Sequence, residues 1–385
     1  VWSKSVWLPE FPRPDLTQDR GLFSWERLTV YRDETRAQAM DFTQLPFDAD
    51  VMLKGLRPWI ECESPTFDAA AVDRMMDLAA RDFATLGATI ERIPGRMGLG
   101  GSLRARFGGA QGGPGILVSG HLDTVHPVGS LASLPFRIDG DRAYGPGILD
   151  MKGGNFIVFE AMRQLLQTGI GTRLPVTVLL TPDEEIGTPS TRDLIEAEAA
   201  RNRYVLVPEP AREENGVVTG RYAIARFNLE ARGRPSHAGV SPKSGRSAIR
   251  EMARKVLKVD EMSGDNCTFS VGVIHGGQWV NCVSSFCSAE ALSMARTDED
   301  LEAGIMRMLD LSGSENEVEF SVTRGVTRPV WQPGRPETEA LYKKALALAD
   351  SLGVCLPHGS SGGGSDGNFT GAMGIATLCG LGLRG

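Results

Sequence analysis

From about residue 50, short apolar runs alternate with stretches whose apolar residues recur at helical spacing. Ile116-Leu117-Val118, Val176–Leu180 and Tyr204–Val207 read as buried strands. Between the first two, Met151–Thr168 carries Phe156, Val158, Phe159, Met162, Leu165 and Leu166 on the period of an amphipathic helix. Strands alternating with helices predict an α/β fold, a mainly parallel sheet with helices on both faces.

The pattern changes between residues 222 and 329. ARFNLEARG alternates like a half-exposed strand, and SAIREMARKVLKV is an amphipathic helix. TFSVGVIHGG and CSAEALSMAR read as strands, DEDLEAGIMRMLDL as a helix and EVEFSVTRG as a strand. The order β-α-β-β-α-β is that of a ferredoxin-like unit. After Pro329 and WQPGRP, a helix is predicted over Glu337–Leu352, followed by a glycine-rich loop, HGSSGGGSDGN. The simplest architecture is one α/β domain, from residues 40–221 and 330–385, with a smaller α+β domain, residues 222–329, inserted into it.

Length agrees with two domains, since 385 residues exceed what one ordinary core absorbs. Forty-one basic and 48 acidic residues leave a net charge of −7, which argues against nucleic acid or an anionic membrane as partner. No apolar stretch approaches the roughly 20 residues of a membrane span. Six scattered cysteines, none in a Cys-x-x-Cys pair, read as reduced thiols of a cytoplasmic protein. Residues 1–39 precede the first methionine, Met40, and lack the apolar segment of a secretory signal. They read as a docking extension or as sequence translated from upstream of the true start.

Candidate chemistry lies where the strands end. ILVSG runs into His121 and Asp123, VTVLLTP into Asp183, Glu184 and Glu185, and YVLVP into Glu209. YGPGILDMKGG places Asp150 just before the long helix. In open parallel sheets ligands bind beyond the carboxyl ends of the strands, so these groups can converge on one edge. One imidazole and several carboxylates suit Zn²⁺ or another borderline divalent ion, which would offset their mutual repulsion. Each piece alone has an ordinary reading: a capped turn, a helix N-cap, solvent-facing glutamates. Their joint order and spacing are far more specific.

SGHLDTVHP, GPGILDMKGG, TPDEEIGT, VPEP and GRPSHAG closely resemble the family of carboxypeptidase G, acetylornithine deacetylase and succinyl-diaminopimelate desuccinylase. The resemblance runs from about residue 50 to the end and is nearest the carboxypeptidase G branch. It implies a hydrolase with two Zn²⁺ per subunit (Co²⁺ or Mn²⁺ as substitutes), and a catalytic domain carrying an inserted lid or dimerisation domain. By resemblance, His121 and Glu209 bind one metal, Glu185 binds the other and Asp150 bridges both, with a cis peptide after it. Asp123 accepts the other ring N–H of His121. Glu184 is the general base acting on a water between the metals. Asp183 receives no role and reads as a solvated turn residue.

The resemblance also implies substrate contacts from His237, Asn281, Arg296 and Gly364. His237 would stabilise the oxyanion, often across a dimer interface. Arg296 would grip a terminal carboxylate. Gly364 would line a backbone wall. His126, His275 and His358 match no motif position and read as structural.

The family's last metal-binding histidine follows a Gly-Leu-Gly segment, whereas here CGLGLRG ends the sequence and no histidine follows His358. The two readings are a chain cut before that ligand and a variant with a deficient second site. The leading expectation is a carboxypeptidase-type hydrolase that cleaves an amide bond next to a free carboxylate in a small peptide or N-acyl amino acid. The alternatives are an N-acyl amino acid deacylase and a catalytically deficient metal-binding relative. A homodimer through the inserted domain is expected.

Overall fold

The computed structural model describes residue 45 and residues 47–169 and 171–385; the extension at residues 1–39 lies outside them. Among the described residues the chain builds two large sheets and two short two-stranded ribbons, 137–139 with 142–144 and 236–237 with 282–283.

The larger sheet has eight strands, in the order 89–93, 102–107, 176–181, 115–121, 202–207, 376–379, 217–221 and 358–361. Its four central strands, 176–181, 115–121, 202–207 and 376–379, run parallel; the first three are those the apolar runs predict, and 376–379 is added by the structure. The flank of 89–93 and 102–107 is antiparallel. Side-chain alternation assigns the two faces. Val118, Val178 and Leu180 pack with Trp59, Met75, Phe83 and Phe156 from helices Ala49–Glu61, Ala69–Thr85 and Gly153–Gln167. Leu117, Leu179 and Val205 point the other way, onto Ile195 and Ala199 of helix Arg192–Ala199 and onto Trp331. Asp48 and Asp68 cap the first two helices, accepting from backbone N–H groups of their first turns.

The second sheet draws its strands from residues 223–328. Four of them stand in the order 267–276, 286–295, 223–232, 318–328, all antiparallel, with a short 313–315 strand outside. With helices Ala248–Asp260 and Asp298–Leu309 this is the ferredoxin-like arrangement. Ala225, Phe227, Leu229 and Ala231 face the helices and are buried. The alternate residues Arg226, Asn228 and Glu230 occupy the opposite face.

The chain enters and leaves this unit at one place. Arg221 and Trp331 exchange backbone hydrogen bonds of 2.9 and 3.0 Å. The buried Asn368 amide donates to the carbonyls of both Tyr222 and Pro329, at 2.9 and 2.8 Å.

The glycine-rich loop departs from expectation at its start. His358–Ser361 is an edge strand parallel to Val217–Arg221, held by a sheet edge that local composition does not reveal. No described helix is long and apolar enough to cross a membrane. All six cysteines are free.

Candidate metal centre

Strands 176–181, 115–121 and 202–207 are parallel neighbours, so the residues after each meet at one edge. His121 ends the middle strand and is fully buried. Glu184 and Glu185 follow the strand on one side, and Glu209 the strand on the other. Asp150 arrives from below, in an irregular turn with a cis Asp150–Met151 peptide that leads into helix Gly153–Gln167. Gly154 permits that approach: a Cβ there would stand 1.8 Å from the Pro208 carbonyl oxygen, so any side chain would push the helix off the Glu209 loop.

The two nitrogens of His121 face different neighbours. Nδ1 lies 3.0 Å from the backbone oxygen and 3.3 Å from the carboxylate of Asp123. Nε2 lies 3.1 Å from Asp150 and 3.9 Å from both Glu184 Oε2 and Glu209 Oε1. Asp123 is itself held: it accepts from Thr66 Oγ1 at 2.7 Å and from the backbone N–H groups of Glu184 and Glu185 at 3.2 and 3.3 Å. A single buried carboxylate thus orients the imidazole and the loop bearing the two glutamates.

His121 with Glu184 and Glu209, and His121 with Asp150 and Glu185, each offer three ligand atoms within 4.8 Å of one another. Glu184, a base in the sequence-based expectation, therefore stands among the potential ligand atoms. Without a cation the carboxylates oppose one another. Burial, then the neighbouring Glu184, holds Glu209 well above the usual carboxylate range. Burial and the surrounding carboxylates push Glu185 up to about 7, against the pull of His121. Burial opposes the His121 imidazolium, but the hydrogen bonds and charges of Asp123 and Asp150 outweigh it and lift the ring well above its ordinary value. One buried imidazole among four crowded carboxylates fits a divalent cation of zinc's type.

Asp183 corrects an expectation. It is not a solvated turn residue but fully buried, accepting from the Ser190 N–H at 2.6 Å, from Ser190 Oγ at 2.8 Å and from Thr191 Oγ1. It closes the 184–190 loop from beneath. Arg328 has no motif to announce it, yet it donates to Glu184 Oε1 at 2.6 Å. Lys152, beside Asp150, is fully buried with its ammonium on the Cys62 carbonyl at 2.7 Å.

The remaining candidates fall into two places. His237 and Asn281 share a short ribbon: His237 pairs with Cys282, and the Ala238 N–H donates to the Asn281 carbonyl at 2.9 Å. Both are exposed, and His237 Nδ1 accepts from the Gly239 and Val240 N–H groups, which leaves Nε2 outward. Arg296 is exposed, with its guanidinium 5.6 Å from the Tyr222 ring. Gly364 lies on the loop whose carbonyls accept from buried Arg221. Among the described residues no hydrogen bond or ion pair joins His237, Asn281 or Arg296 to the carboxylate cluster.

The family model described as Peptidase family M20/M25/M40 matches residues 117–385. Carboxypeptidase G2 of Pseudomonas sp. (strain RS-16) is 29% identical over 343 residues, covering 87% of this chain and 82% of the relative. A succinyl-diaminopimelate desuccinylase of Aromatoleum aromaticum is 29% identical over 332 residues, 79% and 81% of the two chains. The solved structure of a tripeptidase from Staphylococcus aureus shares the fold, with a TM-score of 0.66 and 20% identity over 86% of this chain and 89% of that one.

Proposed function

Since the chain belongs to peptidase family M20/M25/M40, a family of metal-dependent hydrolases, we propose that it cleaves an amide bond next to a free carboxylate, in the manner of a glutamate carboxypeptidase. The observation that carries this reading is the convergence of His121, Asp150, Glu184, Glu185 and Glu209 on one sheet edge. The likeness to carboxypeptidase G2 over most of both chains supports the substrate class.

His121, Asp150, Glu185 and Glu209 would hold the metal, zinc by the chemistry of the donor set. Such a cation, when bound, supplies Lewis-acid polarisation of a carbonyl and a lowered pKa for water. The chain's own residues do the rest. Asp123 fixes the His121 ring through Nδ1, leaving Nε2 for the metal. Glu184 Oε2, facing the cluster, takes a proton from the attacking water and returns it to the leaving amine. His237 Nε2 donates to the oxyanion. Asn281, Arg296 and the Gly364 backbone orient the substrate, with Arg296 as a two-pronged donor to its carboxylate.

His237 and Asn281 are remote from the cluster's hydrogen-bond network, which favours their acting across a homodimer. The lid supports such an interface. Among the described residues strand 267–276 pairs on one side only, and Val273, Ile274, Trp279 and Val280 on or beside it are exposed.

Turnover of acyl-glutamates, folate-type substrates and N-acetyl amino acids by zinc-loaded protein, measured side by side, tests the reading. Hydrolysis of acyl-glutamates at least about ten-fold faster than of the others in kcat/KM supports it. Preference for N-acetyl substrates would make the protein a deacylase, and no turnover of any substrate would leave a metal-binding relative.

A further inference from the structure

The Glu184 side chain is gripped from behind. Arg328 closes the last long strand of the inserted unit and is buried. Its Nη1 donates to Glu184 Oε1 at 2.6 Å. Its Nη2 donates to the Glu184 carbonyl and to Thr188 Oγ1, both at 2.9 Å. Thr188 passes the chain on, donating to Asp366 Oδ1 at 2.7 Å, and that same oxygen lies 3.7 Å from Arg328 Nη2. Two separate parts of the sequence, the 184–188 loop and Asp366, thus close on one guanidinium.

The enclosure extends to the glycine-rich loop. A Cβ on Gly364 would meet Ile224 Cδ1 at 2.5 Å and Arg328 Cδ at 3.1 Å. The loop backbone can close over the arginine because residue 364 has no side chain. Its absence has a packing cause, independent of any substrate.

We propose that Arg328 is a positioning residue for the base. It fixes Oε1 of Glu184 and leaves Oε2, 3.9 Å from His121 Nε2, as the oxygen that faces the reaction. A carboxylate held by one oxygen keeps one rotamer and cannot turn both oxygens onto a metal, so it stays available for proton transfer. The proposal rests on the reading of Glu184 as base. It differs from a role in gripping the substrate's carboxylate. For that, the guanidinium would have to be accessible, whereas here it is enclosed and both terminal nitrogens are engaged.

The test compares full-length, zinc-loaded Arg328→Met and Arg328→Lys with Glu184→Gln and with the Arg328→Met/Glu184→Gln double variant. Substrates are an acyl-glutamate and its α-carboxamide counterpart, and bound zinc is measured in each protein. The expected result is a kcat about 10²-fold lower in Arg328→Met with KM within about three-fold, the scale of a misplaced catalytic group. Zinc content should be unchanged, and Arg328→Lys, which keeps the cation and loses the fork, should recover part of the rate. In the Glu184→Gln background, Arg328→Met should cost almost nothing further, because the group it positions is already gone. A rise in KM for the carboxylate substrate and not for its carboxamide would overturn the proposal in favour of substrate binding. Loss of zinc would overturn it in favour of metal-site assembly, as would wild-type kcat in both variants in favour of packing alone. If Arg328→Met does not fold, Arg328→Lys decides on the same split between kcat and KM. Full activity of Glu184→Gln is the separate result that removes Glu184 as base.

Discussion

The carboxylate cluster and the His237–Asn281 ribbon are built on opposite principles. In the cluster His121, Asp123, Asp150 and Glu184 are held by partners from their own chain: Asp123 alone ties together Thr66, His121 and the backbone of Glu184 and Glu185. On the ribbon, His237 is exposed and its hydrogen bonds come from the next few residues. The difference teaches where each kind of function can be housed. The groups proposed to hold a metal and move a proton are held by the chain's own hydrogen bonds. The groups proposed to meet the substrate, or a second subunit, are left open at the surface.

That contrast can be broken by substitution. The largest effect should come from the cluster: Glu184→Gln lowers kcat by about 10³- to 10⁴-fold with KM nearly unchanged. Steady-state kinetics on metal-loaded protein check it. On the ribbon, His237→Ala should cost about 10²- to 10³-fold in kcat, the scale of one lost oxyanion donor. Because the residue is exposed, its melting temperature should match the wild type. If the ribbon acts across a dimer, Trp279→Ser/Val280→Ser should shift sedimentation to the monomer and lose activity by a similar factor. Asp123→Asn should weaken metal binding by about 10- to 100-fold, as expected of a partner behind a ligand, read by competition with a chelator. Smallest in activity is Asp183→Asn. It disturbs buried hydrogen bonds at a cost of about 1–3 kcal/mol, read in denaturant unfolding, with turnover changed no more than a few-fold.

Much of this contrast is legible in the sequence, and the limits have physical reasons. Apolar runs and helical periodicity identify three of the four central parallel strands, the long helix after Asp150 and the order of the inserted unit, because burial imposes those patterns directly. Motif order points to the cluster because His121, Glu184, Glu185 and Glu209 stand at or just after strand ends, while Asp150 stands just before the long helix. Asp183 escapes, since its partners Ser190 and Thr191 fold back from the far side of a loop and nothing local marks the carboxylate as buried. Arg328 escapes for a stronger reason. It stands 144 residues from Glu184 in a strand whose alternation gives no hint of what its last side chain meets. The His358–Ser361 strand is composed of small and polar residues, and only the waiting edge of Val217–Arg221 makes it one.

One side chain has a mechanical meaning. The Asn368 amide holds Tyr222 and Pro329 together, at the point where the polypeptide passes between the two sheets in both directions. Both crossings are thereby pinned at one junction, where Arg226 and Arg328 add bonds to the 184–188 loop, and the inserted unit is hung there as a lever would be. Arg328 immediately precedes one of the pinned residues, on the lever's short arm. A swing of the long arm, however wide at the distant ribbon, would reach the Glu184 carboxylate reduced to a small displacement. Such gearing would let the far end travel to meet a substrate while Glu184, the proposed base, keeps its aim.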